Sequence, residues 1–370
     1  MSSYTPPFRA DTVGSLLRPP AVLKARESLV AGTIDEAALT EIENREIARA
    51  VARQESLGFQ AVTDGELRRA WWHFDFFERL GGVEGYEAAG GIRFQGLQTP
   101  ARGIRVVDRL RFEDTHPMLD HFRYLDGVTD KSLAKMTLPS PSVLHFRGGI
   151  DRQLYPGMVS YFADLADTWR DAIRAFYAAG CRYLQLDDTV WAYLCSEREL
   201  EAARARGIQT PEQLPHIYAE VLEHVLAGRP DDLYVSLHVC RGNFRSRWIS
   251  EGGYEPVAET LLGRVPVDAF FLEYDSARAG GFEPLRFLPE GPQQVVLGLV
   301  TTKSGALESG EDIKARLQEA SRFVPLTQLC LSPQCGFAST HEGNELSEEQ
   351  QWQKLALVKS VAREVWGEGT

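Results

Sequence analysis

The sequence lacks the features that would place it among disulfide-stapled, membrane-spanning or polyanion-binding proteins. Its 370 residues include only five cysteines, an odd number widely scattered, which argues against a disulfide framework. No apolar run reaches the roughly 18 residues that a membrane-spanning helix needs. Positive charge is in deficit: 40 Lys and Arg against 52 Asp and Glu leave a net charge of −12. So acidic a chain repels nucleic acid and anionic membrane surfaces unless a local basic patch intervenes. Low-complexity tracts and linkers are missing too, and the opening MSSYTPPFRADTVGSLLRPP has no basic-then-apolar leader pattern. With 44% hydrophobic and 25% charged residues, the chain can bury a core and stay in water. The expectation is a cytoplasmic protein of enzyme size, one domain over residues 1–370, with no nucleic-acid or membrane partner.

What is present is a recurring module. In residues 33–64, Thr33 and Glu36 form a capping-box pattern that opens a helix. Ile47, Ala50, Val51 and Leu57 follow near helical spacing, and Gly58 supplies the stop. A short strand, Phe59-Gln60-Ala61-Val62, then runs into Thr63, Asp64, Gly65 and Glu66. The grammar returns at residues 160–188. There Phe162, Leu165, Ala166, Trp169, Ile173 and Phe176 make the stripe, Gly180 ends it, and Tyr183-Leu184-Gln185-Leu186 leads into Asp187-Asp188. Further apolar runs also end in polar residues. Leu233 to Leu237 precede His238-Val239-Cys240, and Ala269 to Leu272 precede Glu273-Tyr274-Asp275. Val295 to Val300 precede Thr301-Thr302-Lys303, and Leu329 to Leu331 precede Ser332-Pro333-Gln334-Cys335-Gly336.

Strands alternating with helices predict a parallel sheet, and near-continuous apolar strands predict one covered on both faces. The strand C-termini then meet at one edge, which in a (β/α)8 barrel is the active-site face. The expected fold is an α/β TIM barrel. Residues 84–130 break the rhythm: Ile92-Arg93-Phe94 and Ile104-Arg105-Val106-Val107 alternate weakly among Gly and Pro, which predicts an inserted β-hairpin or loop excursion.

His238, Cys240, Glu273 and Cys335 all fall at predicted strand ends on that face. Imidazole, thiolate and carboxylate are zinc ligands, and thiolate sulfur favours Zn²⁺ over hard cations. His-x-Cys can aim both side chains at one ion, so one Zn²⁺ per chain is expected. The competing reading makes Cys240 and Cys335 small buried hydrophobes, as the flanks of Cys181, Cys195 and Cys330 suggest for those three. A shell of two thiolates and a carboxylate generates hydroxide poorly. It suits an incoming thiol whose pKa the metal lowers, and so points to thiol alkylation. For a thiol amino acid, Ser15 could hydrogen-bond the carboxylate while Glu66 and Asp187 meet the ammonium. A serine N-cap and capping or solvated carboxylates would account for them equally well. Arg241, Arg245 and Arg247 could clamp an anionic co-substrate or sit solvated in ion pairs. Trp71-Trp72-His73-Phe74 and Phe76-Phe77 could wall a flat ligand's pocket or belong to the core.

At these residues the chain resembles the catalytic C-terminal half of cobalamin-independent methionine synthase, and more closely that enzyme's short single-barrel bacterial relatives. The matching stretches are RADTVGSLLRP, VTDGELRR, YLQLDD, LHVCRGNF, FLEYDSARAG, VLGLVTTKSG and LSPQCGFAST, in family order from residue 9 to about 340. The resemblance implies a zinc-containing TIM barrel of the kind shared with uroporphyrinogen decarboxylase. It implies zinc on His238, Cys240, Glu273 and Cys335, and homocysteine on Ser15, Glu66 and Asp187. The reaction implied is methylation of homocysteine to methionine, with 5-methyltetrahydrofolate (polyglutamate) or another methyl donor.

The chain also departs from that family. The long enzyme's N-terminal barrel, which helps bind polyglutamyl folate, has no counterpart. A proton-transfer histidine expected near residue 300 is absent from Leu299-Val300-Thr301-Thr302-Lys303, and a pterin-facing glutamate is replaced in Trp191-Ala192-Tyr193. The donor is therefore open among a methyl-folate, a methylcorrinoid with or without a carrier protein, and another small methyl compound. One branch of the superfamily opens epoxides with coenzyme M on a similar zinc. That sulfonate thiol would leave Glu66 and Asp187 without a cation, though it could use the RGNFR arginines. Outside thiol alkylation stand a metal-free barrel lyase, indifferent to loss of Cys335, and a protein that holds zinc or thiol without turnover.

Overall fold

Parallel pairing of short buried strands organises the molecule. The computed structural model describes residues 6, 8–208 and 210–367; the leader reading rests partly on residues 1–5 and 7, which lie outside them. In chain order the strands are β1 (Ala61–Val62), β2 (Gly81–Glu87), β3 (Arg93–Phe94), β4 (Leu97–Gln98), β5 (Arg102–Arg111) and β6 (Leu133–Pro139). They continue with β7 (Gly149–Ile150), β8 (Tyr183–Asp188), β9 (Tyr234–Val239), β10 (Ala269–Glu273), β11 (Gln294–Val300) and β12 (Leu329–Pro333). One sheet runs β1-β6-β8-β9-β10-β11-β12, and every neighbouring pair is parallel.

The N-terminal segment supplies the remaining stave. Ala10 bridges Leu331 in parallel, through Asp11 N–H to Leu331 O at 3.1 Å and Leu331 N–H to Arg9 O at 2.8 Å. On the other side Thr63 Oγ1 donates to Gly14 O at 2.6 Å and Leu16 N–H to Gly65 O at 2.9 Å. The sheet thus curls into the expected TIM barrel, with the termini of β1, β8, β9, β10, β11 and β12 at one rim.

β6 has no counterpart among the predicted strands, and the reason is Lys135. Its side chain points into the barrel, where Nζ lies 3.3 Å from Asp11 Oδ1 and donates to Thr12 O at 2.6 Å. Tyr183 OH donates to Asp11 Oδ2 at 2.6 Å, and the ammonium sits 4.1 Å from the Phe271 ring centroid. The pair and its hydrogen bonds compensate each other's desolvation, which lets a lysine occupy a fully buried strand.

Around the sheet the helices follow the predicted stripes with local corrections. The first predicted helix spans Glu36–Ser56 and is capped by Asp35, whose side chain accepts from Ala38 N–H. Thr33 is no cap: its hydroxyl donates to Ser28 O at 3.0 Å. Helix Met158–Ala178 buries Leu165, Ala166, Trp169, Ile173 and Phe176. In the excursion, β5 pairs antiparallel with β2, not with the Ile92 segment, and β7 joins β5 in parallel. Arg93 and Phe94 instead form a two-stranded ribbon with β4. Past the excursion, helix Met118–Val128 buries Met118, Leu119, Phe122 and Leu125 and precedes β6 as a barrel helix would. No helix among the described residues is long and apolar enough to cross a membrane.

Candidate metal centre

The rim gathers the predicted metal set. His238 is the penultimate residue of β9 and Cys240 follows its end; Glu273 closes β10 and Cys335 lies two residues beyond β12. One ligand atom from each lies within 4.8 Å of all the others, and all four residues are buried. Cys240 Sγ and Cys335 Sγ are 3.4 Å apart. Hydrogen bonding from Cys240 holds the Cys335 thiol well below the usual thiol range, against the opposing effect of burial. Cys240 correspondingly keeps its proton.

The surroundings fit a cation. Both ring nitrogens of His238 and Oε2 of Glu273 are buried without a hydrogen-bond partner. Groups left so carry a desolvation cost of about 1–3 kcal/mol each, more when charged, which a shared metal would remove. Outer contacts orient the ligands, as at metal sites generally: Arg241 N–H donates to Glu273 Oε1 at 3.0 Å and Gly242 N–H to Cys240 Sγ at 3.3 Å.

Three of the four, His238, Cys240 and Cys335, open onto a cavity whose lining also includes Ser15, Glu66 and Asp187. Glu273 does not line it. All seven residues singled out from sequence are therefore brought together. Ser15 is not a helix cap: its Oγ accepts from Ala338 N–H at 3.3 Å and its carbonyl from Phe337 N–H at 2.8 Å. Gly336 permits this approach, since a Cβ there would lie 1.9 Å from Ser15 Oγ.

Glu66 sits at φ 55°, a left-handed backbone for a non-glycine residue. Its Oε1 accepts from Thr137 Oγ1 at 2.9 Å and lies 3.6 Å from Arg69, while Oε2 is buried and unpartnered. Burial raises its pKa, and Arg69 and Arg18 oppose the rise. Burial likewise raises Asp187 to about 7, opposed by His238 and reinforced by Glu66. Within the protein Asp187 accepts from Gln185 Nε2 at 2.7 Å. The adjacent Asp188 is structural: it takes the N–H groups of Val190 (2.5 Å) and Trp191 (3.2 Å) and the Ser142 hydroxyl.

Other expectations divide. Trp71, Trp72 and His73 line the cavity, whereas Phe74, Phe76 and Phe77 belong to the core. The arginine clamp is not formed. Arg241 is fully buried over the Tyr254 ring at 4.4 Å, Arg245 and Arg247 are exposed, and none of the three lines the cavity. Cys181 and Cys330 are buried and Cys195 is half-buried; all five cysteines are free. Arg147 and Asn243 line the cavity unforeseen, because nothing in their local sequence marks them. Tyr193 lines it too, as do Ile92 and Phe94 from the excursion.

Comparison with known proteins agrees with this geometry. The family described as cobalamin-independent synthase, catalytic domain, matches residues 8–362. The uncharacterized protein YxjG of Bacillus subtilis (strain 168) is 52% identical over 362 residues, 98% of this chain and 95% of YxjG. A crystal structure from Listeria monocytogenes, solved as a candidate vitamin-B12-independent methionine synthase, is 41% identical with a TM-score of 0.81, covering 99% of this chain and 100% of that one. A B12-independent methionine synthase from Shewanella sp. W3-18-1, in complex with selenomethionine, shares the fold at 19% identity and a TM-score of 0.72, over 96% and 97% of the two chains. With the match running almost end to end and the strand-end residues converging on one cavity, the chain belongs to the cobalamin-independent synthase family as a catalytic-domain protein.

Proposed function

We propose that the protein is a zinc-dependent S-methyltransferase that methylates homocysteine to methionine and works in the reducing cytoplasm, where its free thiols persist. The observation that carries this reading is one cavity with two kinds of wall: His238, Cys240 and Cys335 of a buried His-Cys-Glu-Cys set beside two carboxylates, Glu66 and Asp187. The first suits a thiol and the second an ammonium, and homocysteine has both. The 41% identical Listeria protein, solved as a candidate methionine synthase, supports the same activity.

His238, Cys240, Glu273 and Cys335 would hold the zinc, whose Lewis acidity makes the substrate thiol a thiolate near neutral pH. The chain supplies binding and orientation. Glu66 offers its unpartnered Oε2 to the ammonium, and Asp187, raised to about 7 by burial, is drawn into its ionised form by that cation. Ser15 Oγ bonds the substrate carboxylate. With the amino-acid end fixed, the sulfur is aimed along one line toward the second substrate, so much of the entropic barrier is met on binding. A sulfur lone pair then forms the S–CH₃ bond as the bond from methyl to donor breaks and its electron pair leaves with the donor. The donor is 5-methyltetrahydrofolate, as the polyglutamate, or a methylcorrinoid, free or on a carrier protein.

The epoxide reading loses its sulfonate clamp, since Arg241 is fully buried and Arg245 and Arg247 are exposed away from the cavity. The test is incubation of the purified protein with homocysteine and either 5-methyltetrahydrofolate or methylcobalamin, with methionine read by mass spectrometry. Methionine formation abolished by a chelator supports the proposal. No methionine with either donor, together with alkylation of coenzyme M by an epoxide, overturns it.

A further inference from the structure

Four histidines are buried among the described residues: His73, His116, His145 and His238. Two have internal partners. His116 lies 3.2 Å from Phe76 O and 3.2 Å from Met118 N, and His145 Nδ1 lies 2.7 Å from Tyr218 OH. The other two, His238 and His73, have neither ring nitrogen partnered, and both line the cavity. A metal accounts for His238. Nothing yet accounts for His73.

His73 is 1% exposed and set among rings, 4.1 Å from Phe74 and 4.6 Å from Trp72 between centroids. Burial lowers its pKa and keeps it neutral, with Arg147 and Arg102 acting in the same direction. Arg147 lines the same cavity, has a buried Nε without a partner and lies over the Tyr193 ring at 5.3 Å, while Trp71, Trp72, Phe94 and Tyr193 give the lining a largely aromatic surface. A neutral imidazole offers one N–H donor and one lone-pair acceptor. Leaving both unused in an apolar wall is costly unless a ligand takes them up.

We propose that His73 is a specificity-determining contact for the methyl donor, hydrogen-bonding a polar group at the edge of a flat carrier that lies on the aromatic wall. This rests on the methyl-transfer reading above. A ligand group that can meet both the imidazole and the Arg147 Nε–H satisfies the two orphaned side chains at once. A methyl carrier with no hydrogen-bonding group at that edge leaves them unpaired and is discriminated against.

The test uses H73F and H73N with three readouts. Zinc content and the KM for homocysteine should match wild type, while kcat/KM for the donor falls at least tenfold in H73F and less in H73N. Thermal stability of H73F should equal or exceed wild type, because an apolar ring replaces an unsatisfied one; a structural histidine would lower Tm. On wild type, the His73 imidazole ¹⁵N resonances should shift with 5-methyltetrahydrofolate or methylcobalamin and not with homocysteine. A lowered Tm with unchanged donor kinetics, or a shift with homocysteine instead, overturns the proposal. If wild type turns over neither donor, the functional reading fails by itself and the resonances decide His73: a shift with either donor sustains it, and no shift with both removes it.

Discussion

Replacing Asp188 and replacing its neighbour Asp187 should damage different properties of the protein. Asp188 is fully buried, and its carboxylate takes two backbone N–H groups and the Ser142 hydroxyl. Hydrogen bonds to a charged acceptor contribute about 1.5–3 kcal/mol each and do not add fully. Asp188→Ala leaves two buried backbone N–H groups unpaired, while Ser142 keeps Ser140 Oγ at 3.1 Å, so the expected loss is about 2–5 kcal/mol of stability, with the homocysteine KM of the folded fraction little changed. Asp187 has one internal partner, Gln185 Nε2, and burial disfavours its charge. Asp187→Asn should therefore shift stability by less than about 1 kcal/mol. Losing a buried carboxylate opposite the substrate ammonium, however, should raise the homocysteine KM by about ten- to a hundredfold, equivalent to ~1.4–2.8 kcal/mol. Urea denaturation followed by circular dichroism, paired with steady-state kinetics, measures both. An Asp188→Ala protein as stable as wild type, or an Asp187→Asn protein with an unaltered homocysteine KM, would refute the division of roles.

Two further outcomes follow from the geometry. Gly336→Ala places a Cβ 1.9 Å from Ser15 Oγ, so it should displace Ser15 and raise the homocysteine KM while leaving zinc content intact, as elemental analysis alongside kinetics would record. The second concerns pH. His116 Nε2–H donates to Phe76 O while Nδ1 accepts from Met118 N–H, and burial lowers its pKa from 6.5 to about 4. A lowered histidine is fully stabilising above its unfolded pKa, and the unfolded chain binds the proton first as pH falls. Stability should thus decline by roughly 3 kcal/mol between pH 6.5 and 4 on account of this residue. His116→Gln should flatten that part of a denaturation-versus-pH series.

The convergence of the candidate metal set was legible because a parallel barrel sends every strand C-terminus to one rim, so four ligand-type residues at the ends of three strands, β9, β10 and β12, fall together. The approach of Glu66 and Asp187 to the cavity was legible on the same logic, and that of Ser15 from its glycine turn. The split within Asp187-Asp188 was not, since both line the cavity and only the turn at Val190 shows which carboxylate is taken up by the backbone. Lys135 concealed β6: a lysine in an apolar run reads as solvent-facing, and its partner Asp11 is distant in sequence. Arg147 ends the short helix Pro141–Arg147 after β6 and comes to the cavity through tertiary packing alone. The imidazole of His73 was hidden among tryptophans and phenylalanines, where its lack of a hydrogen-bond partner becomes visible only with the wall assembled.

Thiol activation at His238, Cys240, Glu273 and Cys335 stands or falls with the number of zinc ions bound and of sulfur atoms around each. Elemental analysis and X-ray absorption on wild type and Cys335→Ser, each with and without homocysteine, would serve. The account predicts one zinc per chain with two protein sulfurs from Cys240 and Cys335, a third sulfur on adding homocysteine, and weakened or lost zinc in the variant. A protein that takes up no zinc, or a sulfur count unmoved by homocysteine, would contradict it.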